Sequence, residues 1–253
     1  MQSIAVLMRT KNSDWVISQT LAALFSQKNI QFTLYIVDSG STDSTIDICQ
    51  QYPHEVLEMV GEKYIPGPVL NDAISKINEE IIIMLNSDSV LLQPNSLAEL
   101  VSPLIQKDHI VASVGRQVPR HDAETWVRKD YEHAFPETQE TPDYITLSFP
   151  LSAFKKSVWE KEKFYEDSWG SEDTEWGKRI LDKKLGNIEY TPKALTMHSH
   201  NYTNEEIHNR KFIEGEADHF IYDTLPSKIS SLLRYMKRCF SEVIYYSKKG
   251  QIS

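Results

Sequence analysis

Ile81-Ile82-Ile83-Met84-Leu85-Asn86-Ser87-Asp88-Ser89 decides the fold. Five apolar residues, three of them β-branched, run without alternation into four small polar ones. This pattern fits a strand buried on both faces, as in a parallel sheet. Open α/β sheets hold their ligands beyond the carboxyl ends of the strands, so Asp88 stands where a ligand would lie.

Upstream, residues 3–8 and Phe32–Val37 read as strands. Ile17, Leu21, Leu24 and Phe25 share one helical stripe, and a helix follows Asp43 to about Tyr52. Residues 55–60 read as a short strand. Pro66-Gly67-Pro68 is a turn before a stripe of Val69, Leu70, Ala73, Ile74 and Ile77. Downstream, Pro94 opens a helix carrying Leu97, Leu100, Val101, Leu104 and Ile105, and Ile110–Val114 is a further strand. Strand–helix alternation to about residue 115 predicts an α/β fold with a mostly parallel sheet flanked by helices.

From Arg116 to Pro150 the pattern loosens into prolines, aromatics and mixed charge, as in a specificity region built of loops. A helix is expected around residues 154–160 and another from Glu172. A strand near Asn187–Tyr190 and an apolar stretch Ala194–Met197 lead into His198-Ser199-His200.

At 253 residues, 40% apolar and 25% charged, the chain has the composition of a soluble globular protein. No apolar run approaches the roughly 20 residues of a membrane span. The first residues lead straight into a strand, so no signal peptide is expected. Two cysteines, Cys49 and Cys239, make no disulfide framework, and a reducing cytoplasm is the expected setting. Net charge is −9, but residues 226–253 hold six cations and one anion, which leaves −14 on the rest. An acidic body argues against nucleic-acid binding. Within the basic segment Ile229, Leu232, Leu233, Met236, Phe240, Val243 and Ile244 keep helical spacing. Two readings are open for it: a helix packed on the body, or one lying on an anionic membrane.

Three polar segments sit at strand ends: Arg9–Asp14, Asp38–Asp43 and Asn86–Ser89. A parallel sheet brings such loops to one edge. Ser41, Thr42 and Asp43 are good caps for the next helix, whereas Asp38 is placed to accept hydrogen bonds from a base or ribose. Neither the dinucleotide glycine fingerprint nor the P-loop is present, so a nucleotide diphosphate here calls for a cation as counter-charge. Mg²⁺ or Mn²⁺ needs only one or two protein carboxylates beside phosphates, and Asp88 supplies one.

The second site is Trp169-Gly170-Ser171-Glu172-Asp173-Thr174-Glu175-Trp176-Gly177. Three carboxylates at a helix start fit the helix dipole. Two tryptophans around them are expected to wall a pocket for a ring-shaped polar molecule, where a carboxylate can take a proton from a hydroxyl. The third is His198-Ser199-His200. Alternate residues of an extended segment face opposite ways, so at most one histidine is expected at the metal.

These motifs, in this order and spacing, resemble the family 2 inverting glycosyltransferases of GT-A fold, in their rhamnosyltransferase-like branch. Asp38–Asp43 is similar to the first nucleotide-binding motif. Gly115-Arg116-Gln117 and His198–Thr203 resemble that branch. Trp169–Gly177 is similar to the acceptor-site motif. The resemblance covers roughly residues 3–220. It implies nucleotide-sugar contacts from Thr10, Asp38, Asn71, Ser87, Asp88, Arg116 and Gln117, and metal ligation by Asp88 and His198. Asp173 would be the general base, and Trp169, Gly170 and Glu172 would hold the acceptor. Arg9, Ser39 and Asn86 depart from the family pattern, the last removing one carboxylate from the metal site.

The resemblance implies an enzyme that moves a sugar from a nucleotide-diphosphate donor, dTDP-rhamnose or a UDP-sugar, to a hydroxyl of a surface-glycan or lipid-linked glycan acceptor, using Mg²⁺ or Mn²⁺. The expected organisation is a catalytic domain over 1–225, divided into a nucleotide-sugar half (1–115) and an acceptor half (116–225), then a basic helix over 226–253. It would work in the cytoplasm or on the inner face of the cytoplasmic membrane. A nucleotidyltransferase acting on a sugar phosphate and a non-catalytic sugar- or nucleotide-binding domain are the alternatives.

Overall fold

The central strand is where its sequence places it. In the computed structural model, Ile81, Ile82, Ile83, Met84 and Leu85 are all buried. Ile82 and Met84 face one apolar layer, with Leu70, Ile74, Phe154 and Trp176. Ile81, Ile83 and Leu85 face the other, with Leu21, Leu97, Leu100 and Leu104. The structure describes residues 2–57, 64–138, 140–167, 170–223 and 227–248.

In chain order the elements begin with β1 (Ile4–Thr10), α1 (Ile17–Phe25), β2 (Thr33–Asp38), α2 (Thr45–Cys49) and β3 (Glu55–Leu57). Next come α3 (Pro66–Lys76), β4 (Ile81–Asn86), β5 (Val90–Leu91), α4 (Ser96–Gln106) and β6 (Ile110–Val118). Then follow α5 (Thr125–Ala134), β7 (Leu151–Lys155), α6 (Lys156–Lys161), α7 (Glu172–Asp182), β8 (Asn187–Met197), α8 (Asn204–Tyr222) and α9 (Lys228–Lys248). Eight strands form one sheet in the order β3-β2-β1-β4-β7-β6-β8-β5. Only β7 and β5 run against the others, since β7 is antiparallel to β4 and β6, and β5 to β8. The sheet is therefore mostly parallel, as expected.

Several elements differ from the sequence reading: Pro66-Gly67-Pro68, expected as a turn, is the start of α3, and β5 was not expected. The segment expected as a helix at 154–160 begins as β7, and only from Lys156 is it helical. Leu151, Ser152, Ala153 and Phe154 are buried between β4 and β6, and so short a segment carries too little period to separate strand from helix. The stretches 187–190 and 194–197 are one strand, β8. Its pairing with β6 jumps from Gly115↔Thr191 to Arg116↔Leu195, which accommodates Pro192 in a bulge. Within the loosely patterned region, Thr125–Ala134 is helical but buries only Val127. Helix α8 buries no residue, so no apolar stripe announces it.

Short β5 matters for the site. Val90 pairs with Met197 and Leu91 with Thr196. Two residues after Asp88, the chain is thus pinned to the residue before His198. The chain divides into two compact units, residues 1–214 and 215–253. In the second, Leu232, Leu233, Met236, Phe240 and Val243 of α9 are exposed. Among the described residues, no helix is long and apolar enough to cross a membrane.

Candidate active site

Strand ends β1 and β4 open onto a cavity of about 580 Å³. Its lining includes Arg9, Thr10, Lys11, Trp15, Tyr64, Asn86, Ser87, Asp88 and His200. The loops meet through side-chain hydrogen bonds. Asn12 N–H donates to Ser41 Oγ at 2.9 Å, Thr42 N–H to Asn12 Oδ1 at 2.8 Å, and Ser13 and Ser87 share a 2.8 Å hydroxyl contact. Of the residues expected as helix caps, Asp43 accepts from Thr45 and Asp14 N–H, while Ser41 and Thr42 tie to Asn12 instead. Asp38 Oδ2 accepts from the N–H groups of Gly40 and Ser41 at 2.9 and 2.8 Å, so it shapes its own turn. Gly40, at φ +85°, has the backbone that turn needs. Thr10 Oγ1 is buried at the cavity wall with no hydrogen-bond partner.

Asp88, His198 and His200 converge, and their ligand atoms lie within 4.8 Å of one another. His200 Nε2 is 3.1 Å and His198 Nε2 3.7 Å from Asp88 Oδ2. His200 Nε2 stands at hydrogen-bond distance from the carboxylate, and two imidazoles with one carboxylate form a set that fits a divalent cation. Alternation led us to expect one histidine here, but both reach Asp88. Strand β8 ends at Met197, so the alternation of a strand does not govern the residues that follow it.

Burial works to raise Asp88, yet the hydrogen bond from His200 and the charges of His198 and Arg120 outweigh it and hold the carboxyl at about 2. Burial above all pushes His198 down to about 4, against the pull of Asp88, so its ring is neutral near pH 7. Behind it, Gln117 Nε2 donates to Ser148 Oγ at 2.8 Å and Gln117 Oε1 lies 3.2 Å from His198 Nδ1. An amide so oriented accepts the Nδ1 proton and leaves the Nε2 lone pair toward Asp88.

The acid pair heads α7. Ser171 adopts a left-handed conformation (φ 58°) at its N-cap and turns the chain into the first helical residues. Glu172 is buried and accepts from Arg9 Nη1 at 2.6 Å. The same guanidinium donates to Tyr64 Oη at 2.9 Å and to Asn86 Oδ1 at 3.2 Å. Burial alone would lower the Arg9 pKa, but Tyr64 and Glu172 outweigh it and keep the side chain protonated. Asp173 accepts from Phe149 N–H at 3.1 Å and Thr174 N–H at 2.8 Å. Desolvation, then the neighbouring charge of Glu172, raise its carboxyl to about 6 against those N–H groups and Arg9.

The structure thus gathers Thr10, Ser87 and Asp88 on one cavity and joins Glu172 to it through Arg9. Other expected residues lie elsewhere. All four hydrogen-bonding positions of the buried Asn71 amide are taken: Nδ2 donates to Phe164 O and Glu166 Oε1, and Oδ1 accepts from Trp159 Nε1 and Phe164 N. It fastens α3 to the segment after α6 and has no capacity left for a nucleotide. Gln117 serves His198 rather than facing the cavity, and Arg116 pairs with Glu137 at 3.3 Å. Trp176 is no pocket wall. It is fully buried against Phe154 and Phe164, because one helical turn past Glu172 points into the core. Glu175 is buried on Arg179. Gly170 is half-buried just before α7, and Trp169 lies outside the described residues. Sequence reading assigned no role to Arg9, Tyr64, Trp15 and Arg120, which act across long sequence distances and leave no local signal. His200 was visible as a neighbour of His198.

The comparisons agree with this geometry. A solved mannosyltransferase from Pyrobaculum calidifontis, in complex with GDP-Man and Mn²⁺, is similar at TM-score 0.65 and 18% identity over 84% of this chain and 61% of its own. S. aureus TarS in complex with UDP-GlcNAc gives 0.60 and 18% over 80% and 60%. The chain therefore spans about three fifths of those structures, and at these identities the likeness shows the shared GT-A fold. Two curated relatives are O-antigen chain rhamnosyltransferases. WbaN of Salmonella anatum is 26% identical over 230 residues (85% of this chain, 72% of the relative). RfbN of Salmonella typhimurium is 24% identical over 226 residues (84% and 71%). The model for glycosyl transferase family 2 matches residues 5–165. With well over half of its length matched, the chain belongs to glycosyl transferase family 2.

Proposed function

We propose that this chain is an inverting glycosyltransferase that moves a sugar, rhamnose foremost, from a dTDP- or UDP-linked donor to a hydroxyl of a surface-glycan or lipid-linked glycan acceptor. The observation that carries the reading is the pairing of the two sites. A carboxylate raised to about 6 stands at the head of α7, tied through Glu172 and Arg9 to the cavity that Asp88 and His200 line. The rhamnosyltransferase relatives support the choice of sugar.

In this reading Asp173 takes the proton of the acceptor hydroxyl as that oxygen attacks the anomeric carbon. The bond to the diphosphate breaks on the opposite face, so the configuration inverts in one displacement. Glu172 and Gly170 border the acceptor, with Trp169 assigned there by the motif alone. Thr10 and Asp38 meet the nucleoside, and Ser87 the diphosphate. Asp88, His198 and His200 would hold a divalent cation, which would supply positive charge to the departing diphosphate. Two imidazoles argue against Mg²⁺, an oxygen-seeking ion, and favour Mn²⁺. Residues 1–115 serve mainly the donor and 116–225 mainly the acceptor, with His198 and His200 reaching back to the cation, and α9 within the basic segment 226–253 rests on the anionic cytoplasmic face of a membrane, where a lipid-linked acceptor is found. Removing 226–253 is expected to abolish co-sedimentation with phosphatidylglycerol vesicles; unchanged sedimentation would count against this placement.

A thermal-shift screen of dTDP-rhamnose, UDP-sugars and GDP-mannose, with and without Mn²⁺, tests the donor. A donor at a hundred times its Kd stabilises the fold by roughly 2.7 kcal/mol. NMR of the product with a glycan acceptor reads the new linkage. No shift with any nucleotide sugar, or a product of retained configuration, would overturn the reading.

A further inference from the structure

Two cations line the cavity, Arg9 and the exposed Lys11, and others lie outside it. Arg9 pairs with Glu172, Arg116 with Glu137, and Arg179 with Glu175 and Glu162. Arg120 is different. Its backbone N–H donates to Ser199 Oγ at 2.9 Å, which fixes it beside the two histidines. Its Nη2 donates to the backbone carbonyl of Asp88 at 2.5 Å. Its guanidinium lies over the Trp15 ring, 4.8 Å from the centroid. Trp15 lines the cavity and is 57% exposed. Arg120 Nε is buried without a partner, and among the described residues no carboxylate stands within ion-pair distance. Its positive charge is thus held beside Asp88 by a backbone carbonyl and by the indole of a cavity residue.

The charge balance of the site gives this residue a task. Of the three groups that can hold a cation, only Asp88 is a carboxylate. No glycine-rich phosphate loop is available. When the bond from the anomeric carbon to the donor oxygen breaks, its electron pair stays on that oxygen and the diphosphate gains a negative charge. The protein must supply charge there beyond the cation, and Arg9 is already committed to Glu172. A guanidinium forks onto phosphate oxygens more readily than any other side chain.

We infer that Arg120, backed by Trp15, is a second contact for the donor diphosphate, standing opposite the carboxylate of Asp88. This rests on the nucleotide-sugar reading of the cavity. Trp15 backs the guanidinium, and the Asp88 carbonyl holds it beside the cation site.

Calorimetry with dTDP and UDP in the presence of Mn²⁺, and ligand-observed NMR with thymidine and uridine, tests the inference. Arg120→Gln is expected to weaken both diphosphates by roughly ten- to a hundredfold, the range of a lost charge-assisted hydrogen bond. Binding of the nucleosides stays unchanged. Arg120→Lys recovers part of the loss, and Trp15→Ala gives a smaller loss of the same kind. Undiminished diphosphate binding by Arg120→Gln would overturn the inference alone, as would an equal loss for nucleosides and diphosphates. A wild-type chain that binds no nucleoside diphosphate overturns the donor reading and the inference with it.

Discussion

Replacing Asp173 by Asn is expected to cut turnover by roughly 10²–10⁴-fold, the contribution of a positioned general base, with donor binding retained. Asn keeps the shape that Phe149 and Thr174 N–H groups hold, so the fold should survive. What it loses is the ability to take a proton. The wild-type pH profile carries the same information. As a general base Asp173 would work only when deprotonated, and burial with the Glu172 charge raises it to about 6. Activity should therefore climb through about pH 6 and level off above it. Removing the like charge with Glu172→Gln should move that limb to lower pH. Turnover retained in Asp173→Asn, or a profile indifferent to Glu172, would sink the assignment of the base.

The second large effect is expected at Asp88. Among the described residues it is the one carboxylate of the candidate cation cluster, and its loss leaves two imidazoles, one of them held neutral near pH 7. Changes in the groups that merely support a ligand typically cost 10–100-fold in metal affinity. Asp88→Ala removes a ligand and should cost on the order of a hundredfold or more. Mn²⁺ titration followed by electron paramagnetic resonance reads this directly, with UDP binding in parallel. An unchanged Mn²⁺ isotherm would show that the three side chains do not form the metal site. His198→Ala and His200→Ala then rank the imidazoles, which geometry brings to Asp88 together.

Much of the donor side was legible because its signals are local. A non-alternating apolar run ending in a carboxylate announces a buried parallel strand and its ligand edge, and β4 with Asp88 is that arrangement. The acid pair was legible as a motif, but its surroundings were not. Glu175 and Trp176 share the motif yet face the core, because a helix distributes neighbours around its axis and only the fold says which way is inward. Asn71 could not be read as a clamp from sequence, since its four partners lie 88 to 95 residues away. Gln117 likewise looks like a rim residue until the pairing of β6 with β8 sets it behind His198. The two histidines defeated an alternation argument that holds only inside a strand.

The ion pair of Arg9 and Glu172 also bears on how the chain is made. Its partners are separated by 163 residues. During synthesis the first strand emerges early, carrying a guanidinium destined for the interior, and its counter-charge follows only when α7 leaves the ribosome. Stranding one member of a buried pair costs about 3–5 kcal/mol, a large part of a domain's net stability. A nascent chain ending before Glu172 lacks the carboxylate that Arg9 meets in the complete fold. The cavity wall and the acid pair of α7 are therefore joined only late in translation.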